Sequence, residues 1–335
     1  MNKLTKIGAS ALCGSLAAVS AANAGELTVA GGADLTWVSQ EKAVVGQPIG
    51  MGSNYTLSGD GELDNGWTVD LNIQIANANA YSNTNITIGI PGLGDVRIDQ
   101  GVSATGIQRM DDMTPNVWEE ADGGITAGIN KIMGTSAGGT IEVTPSGLPD
   151  GLTARFAFSK DADSAVNAND KGVGGASGPL GSGWDLTLEL GSDLLGVDGL
   201  TIYGGISEIE QFQNDGSISG DLSEDVIGIK YAMGSFTAGY QQSTEDTGLT
   251  GTASYENTSY GITFNVNDDL SIGYNAAESD KSGSATDVEA ESFQVAYTMG
   301  GASIRLMEQT VTNQTYGTAA TADFDATIVS LGLAF

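Results

Sequence analysis

In the stretch WTVDLNIQI, residues 67–75, every second side chain is apolar. Trp67, Val69, Leu71, Ile73 and Ile75 share one side of an extended chain, and Thr68, Asp70, Asn72 and Gln74 share the other. The same period returns at Leu186, Leu188 and Leu190 against Asp185, Thr187 and Glu189. It returns again at Phe293, Val295, Tyr297 and Met299 against Ser292, Gln294 and Thr298. Successive residues of a strand point to opposite faces of a sheet, whereas helical spacing would mix the two sets. The chain is therefore committed to two-faced strands.

The connections fall into two kinds that take turns. Short ones fall at Asp64-Asn65-Gly66, 92–95, 148–151, 195–199, Gly234-Ser235, Asn267-Asp268-Asp269 and Gly300-Gly301. Their Gly, Asn and Asp residues accept the positive φ of hairpin turns. Longer polar segments span roughly 39–53, 77–83, 100–138, 160–183, 209–222, 244–252, 279–286 and 311–320. Together they delimit sixteen strands, from about 27–38 to 322–335. An even number lets the last strand close antiparallel on the first. Strands of about 9 to 12 residues cross a hydrocarbon layer at a tilt, and closure leaves no unpaired backbone edge in lipid. Short turns on one rim and long loops on the other predict an all-β fold, a transmembrane antiparallel β-barrel. A soluble sandwich gains nothing from such segregation.

Charge decides which face looks inward. The polar face carries Glu62, Asp70, Arg97, Asp99, Arg155, Glu189, Lys230 and Arg305. Burying that set in a dry interior costs roughly several kcal/mol per unpaired charge. A sixteen-stranded barrel is also too wide for side chains to fill, so the expected interior is an aqueous channel. Trp37, Trp67, Tyr231, Phe236, Tyr240, Tyr274 and Tyr297 fall near strand ends on the apolar face, where interfacial girdles belong.

Residues 1–24 follow a different pattern. Lys3 and Lys6 precede a largely apolar run from Ile7 to Val19, and Ala22-Asn23-Ala24 sets small residues before Gly25. This is the pattern of a secretory signal peptide, and it leaves 25–335 as a single barrel domain. Cys13 lies within it, so the mature chain has no thiol. Histidine is absent, which excludes Ser-His-Asp triads and imidazole metal sites. Without Lys3 and Lys6 the chain has 10 basic and 42 acidic residues, a formal charge of −32. Such a chain repels nucleic acid and favours cations.

The first strand LTVAGGADLTW, the long third loop and the ending TIVSLGLAF complete a pattern spanning the whole mature chain. In it the chain resembles the general diffusion porins of Gram-negative outer membranes. The ending puts Thr327, Val329, Leu331, Leu333 and Phe335 on one face. It is similar to the C-terminal signal read by the barrel-assembly machinery. The resemblance implies a homotrimer in the outer membrane, in contact with its lipid. It implies passive diffusion of small hydrophilic solutes and ions, without enzymatic chemistry. It also implies that the third loop, 100–138, folds into the barrel and narrows it. Asp111, Asp112, Glu119, Glu120 and Asp122 would then line the constriction. Trp118, Met110, Met113 and Pro115 would pack the loop against the wall. Arg97, Arg305, Arg155 and Lys230 are the basic candidates opposite, and the opposed charges would set up a transverse field that orients dipolar solutes. The excess of acid implies cation selectivity. Calcium is admitted by so many carboxylate oxygens but not required.

Other readings are weaker. A sugar-selective channel calls for an aromatic slide along the lumen, and Tyr203 is a rare inward aromatic. A phosphate channel needs a basic constriction. A hydrolase working through paired carboxylates, or a surface β-rich adhesin, remains formally open; the adhesin would require a fixed repeat that the sequence lacks. GDGELDNG (59–66) departs from a calcium-loop pattern at its sixth and twelfth positions, and KGVGGASGPLGSG (171–183) lacks the ending of a phosphate loop.

Overall fold

A computed structural model describes residues 24–42, 47–77, 83–101, 105–137, 139–162, 179–212 and 218–334. Nearly all of the signal-peptide segment, and the terminal Phe335 of the assembly signal, lie outside the described residues. Sixteen strands follow one another along the chain. The first eight are β1 (Ala24–Gln40), β2 (Ile49–Glu62), β3 (Thr68–Ala76), β4 (Asn83–Ile90), β5 (Gly94–Gly101), β6 (Thr140–Pro145), β7 (Leu152–Ser159) and β8 (Leu180–Leu190). The second eight are β9 (Leu200–Gln211), β10 (Leu222–Met233), β11 (Phe236–Leu249), β12 (Thr252–Asn265), β13 (Leu270–Lys281), β14 (Val288–Met299), β15 (Ala302–Thr312) and β16 (Phe324–Ala334). Each pairs with its neighbours in sequence, and β1 closes on β16 in a register running from Gly32 opposite Ala334 to Gln40 opposite Ala326. The result is the closed antiparallel barrel that the alternation demanded.

Three local departures have physical causes. The expected loop 244–252 is mostly strand: β11 reaches Leu249, β12 begins at Thr252, and only Thr250 and Gly251 turn. Here both faces are polar, with Ser243, Glu245 and Thr247 inward and Gln242, Thr244 and Asp246 outward, so composition did not mark the strand's end. Likewise residues 180–183, within the expected loop 160–183, already belong to β8. The turn expected at 195–199 is led into by one helical turn, α1 (Ser192–Leu195), closed by Gly196 at φ 67.

The faces sort as the period of two requires. On β10, Ile227, Ile229, Tyr231 and Met233 are exposed on the outer surface, while Glu224 and Val226 are buried on the inner one. Trp37, Trp67, Tyr231, Phe236, Tyr240 and Tyr297 are all exposed; Tyr274 is half-buried and donates a hydrogen bond to Glu291. The apolar core does not fill the barrel's centre. It is a crescent between the third loop and the inner wall, in two clusters. One joins Ile107, Met110 and Ile132 of the loop to Tyr203 and Val226 of the wall. The other joins Ala121 and Ala127 to Val288, Ala290, Val311, Phe324 and Ala326.

This inverted layout has a direct test. Ile229→Arg places a charge among lipid-facing residues and should destabilise the barrel by about 2–4 kcal/mol near mid-membrane. Gln74→Arg, on the exposed inner face of β3, should fold as wild type. Urea titration of protein folded into lipid vesicles measures both.

Candidate functional site

The connection from β5 to β6 runs inside the barrel, and its irregular backbone needs hydrogen-bond partners there. The inner wall supplies them from side chains. Asp185 on β8, fully buried, accepts from Ile107 N–H at 3.3 Å, Thr135 N–H at 3.2 Å and the Thr135 hydroxyl at 2.8 Å. Glu224 on β10 accepts from the N–H groups of Met133 at 3.0 Å and Gly134 at 2.6 Å. Glu142 on β6 accepts from Gly106 N–H at 2.7 Å. Gly106 and Gly134 both sit at φ 55, and a Cβ at either would run into the Asp185 carboxylate. The two roots of the loop are thus clasped on one strand.

Amides hold the middle of the loop. Gln294 on β14 accepts from Trp118 N–H at 2.9 Å and donates to Glu119 C=O at 2.5 Å. Gln309 on β15 accepts from Ile125 N–H at 2.8 Å and donates to the carbonyls of Ala121 and Ile125 at 2.6 and 2.8 Å. Gln241 donates to Asp111 C=O at 3.2 Å and accepts the Tyr203 hydroxyl at 2.8 Å. Pro115 lies against Gly239 and Gly261, where any side chain on the wall would strike it. Met110 and Met113 belong to the apolar crescent. Tyr203, the inward aromatic singled out in the sequence, is buried beneath the loop and offers the lumen no surface.

The loop covers the wall on the β6–β16 side and leaves the inner faces of β2 and β3 open to water, while Asn85 of β4 and Asp99 of β5 are buried. Asn54, Asp60 and Glu62 of β2 and Thr68, Asp70 and Gln74 of β3 are inward and exposed. Asp60 stands directly opposite Asp70.

Four of the five loop acids gather around Lys131, on the loop's return arm. Its ammonium contacts Glu120 closely and lies 3.4 Å from Asp112, 3.5 Å from Asp122 and 3.8 Å from Asp111. Among the described residues no group of three or more acids is arranged to hold a metal ion. The lysine occupies the place that the sequence left open to calcium. Glu119 stands apart, beside Trp118. The Arg305 guanidinium lies 5.8 Å from the Trp118 ring centre, within cation–π range, and 3.5 Å from Asp34.

The basic candidates are placed as follows. Arg97 pairs with Asp99 at 2.8 Å, Arg155 with Glu189, and Arg305 with Asp34. Lys230 lies on the inner face of β10 with no ion pair among the described residues. Arg109 and Glu142 form a further pair. Sequence reading missed Lys131, Arg109, Asp34 and the anchors Glu142 and Glu224. The detectable signal was the presence of two cations inside the acidic segment and of single acids on the inward faces of the strands that follow it.

Burial pushes Asp111 up to about 7 against the pull of Lys131, and Asp112 and Asp122 add to the rise. Burial likewise raises Glu120 and Glu119. Burial opposes the charge on Lys131, yet Asp122, Glu120 and Asp111 together hold its ammonium well above the ordinary lysine value.

A family model described as Gram-negative porin matches residues 8–334. No curated protein sequence matches the chain. Among solved structures, an anion-selective porin from Comamonas acidovorans superposes with a TM-score of 0.68 at 15% identity, over 92% of this chain and 99% of its own. Salmonella typhi OmpF in complex with daunomycin gives 0.67 at 14% identity, over 93% and 98%. A loop-L8 deletion mutant of OmpT from Vibrio cholerae gives 0.64 at 10% identity, over 92% and 99%. At such identities the likeness speaks for the fold alone.

Two outcomes are expected. Asp185→Ala leaves buried N–H groups of both loop roots without acceptors, at about 1–3 kcal/mol each. The loop should loosen and single-channel conductance in planar bilayers should rise; wild-type conductance would remove Asp185 from the clasp. Secondly, Asp111 is neutral below about 7 and charged above it. A reversal potential recorded from about pH 6 to pH 8 should therefore move toward cation preference, and Asp111→Asn should flatten that change. The raised value also means that charging Asp111 weakens the loop's docking. That penalty grows from the ordinary 3.8 up to about 7 and is constant above it.

Proposed function

Because the chain belongs to the Gram-negative porin family and forms an outer-membrane diffusion channel, we propose that this channel selects for cations among small hydrophilic solutes and ions. The constriction is formed by the third loop, with Asp112 and Glu119 as the acids a passing ion meets first and Asp111, Glu120 and Asp122 behind them. The observation that carries this reading is the pairing of the basic residues. Arg97, Arg305, Arg155 and Arg109 each have a carboxylate partner, and Lys131 has four. Lys230 and Lys281 are isolated wall cations without an ion pair among the described residues, Lys281 lying over the rings of Tyr255 and Tyr316, whereas Asp60 and Asp70 stand side by side on adjacent strands, exposed to water. A basic row able to draw anions is therefore missing from the described wall, and the net charge of −30 points the same way. The fold likeness to an anion-selective porin carries no weight here, since selectivity follows side chains and not strand order.

The reading extends to biogenesis and assembly. Residues 1–24 act as a cleaved export signal, the C-terminal strand addresses the chain to the barrel-assembly machinery, and three copies form a homotrimer in outer-membrane lipid. The pattern of small and apolar residues before Gly25 and the outward row Thr327, Val329, Leu331 and Leu333 support the first two. The trimer rests on the family resemblance. Tyr203, the aromatic on which a sugar-selective reading would lean, is buried and lends it no support.

Reversal potentials of reconstituted channels across a KCl gradient test the central point. Cation preference should be clear in dilute salt and shrink near 1 M, where the screening length is about 3 Å. Asp112→Asn with Glu119→Gln should reduce it. Anion preference in the wild type would overturn the proposal.

A further inference from the structure

The most telling charge in the loop is its lysine. We propose that Lys131 is a specificity-determining residue of this pore: it cancels one charge in the constriction and ties the loop's return arm to its acidic arm. This role rests on the proposed placement of the third loop at the constriction, and not on which ion the wild-type channel prefers.

The geometry supports both roles. Residues 111–122 bring four carboxylates to one place, and without a counter-ion they would repel one another and spread. Lys131 reaches them from the opposite arm, and its ammonium lies within 3.8 Å of all four. Asp122 and Glu120 are thereby drawn out of the water, at 7% and 14% side-chain exposure, while Asp112 stays 71% exposed. Among the described residues that line the small cavity behind Lys131, the wall contributes no cation and one acid, Glu278. Gln241, Ser243, Asn257 and Ser259 bound the small cavity on that side, with Ala277 and Ile129. One residue thus decides how much of the acids' charge a permeating ion meets and how firmly the two arms stay together.

Lys131→Met removes the charge and the tether. Lys131→Arg keeps both. Lys131→Met combined with Asp122→Asn restores the net charge without the tether. Each is folded, checked by the heat-modifiable gel mobility of a closed barrel, and measured in dilute KCl. Lys131→Met should raise the cation-to-anion permeability ratio about twofold, the scale of one elementary charge a few ångströms from the ion path in water. It should also increase open-channel current noise. Lys131→Arg should restore both values. The double variant should return the ratio toward wild type while the noise persists. A wild-type ratio in Lys131→Met, or failure of the arginine variant to restore it, would overturn the assignment. These comparisons are made against wild type, so they hold whichever ion the wild-type channel prefers, and wild-type anion preference would sink the functional proposal alone.

Discussion

A backbone amide in hydrocarbon has no water to turn to, and each unpaired one costs several kcal/mol. A strand-built chain meets that demand by closing its sheet. Here β1 meets β16, so all sixteen strands have partners on both sides. The other features follow from closure. A circle of this size cannot be filled by side chains, so water occupies the middle and the apolar side chains turn outward. The distinction between inside and outside is then set by residue parity along each strand.

The same demand returns inside the barrel in another form. Among its described residues the third loop has only two short 3-10 helices, Gly106–Met110 and Gly134–Ala137, and a few turn hydrogen bonds, so its peptide groups cannot all satisfy one another. The wall meets them with side chains: carboxylates of Glu142, Asp185 and Glu224 at the roots, where N–H groups converge, and the amides of Gln294 and Gln309 in the middle, where donors and acceptors alternate. A carboxylate only accepts, and an amide both donates and accepts. The choice of residue at each wall position follows the local polarity of the loop backbone. Apolar packing adds to this, since Ile107, Met110 and Ile132 are fully buried against the wall and each contributes about 1.5–3 kcal/mol.

Electrostatics in the lumen then depends on how few cations are shared among many acids. Each arginine facing the lumen is held beside a carboxylate, and Arg305 also lies against the Trp118 ring. Gly332 leaves room for that reach; a Cβ there would stand 2.9 Å from Asp34 Oδ1 and 3.2 Å from the Arg305 guanidinium. Unpaired acids lie on the open β2–β3 side, where Asp60 and Asp70 stand in water.

The sequence alone determined the barrel, its strand number, the parity of its faces and the existence of an overlong acidic third connection, because alternation and turn residues are local properties. Where polarity on both faces hid that signal, as at 244–252, it placed a loop on a strand. What only the tertiary structure decided is who meets whom across the lumen. Lys131 among the acids, Asp34 beside Arg305 and Asp185 beneath both roots of the loop are contacts between residues distant in sequence or on opposite arms of a loop. They exist because closure brings distant strands around one space, and no local period records which charges that space will bring together.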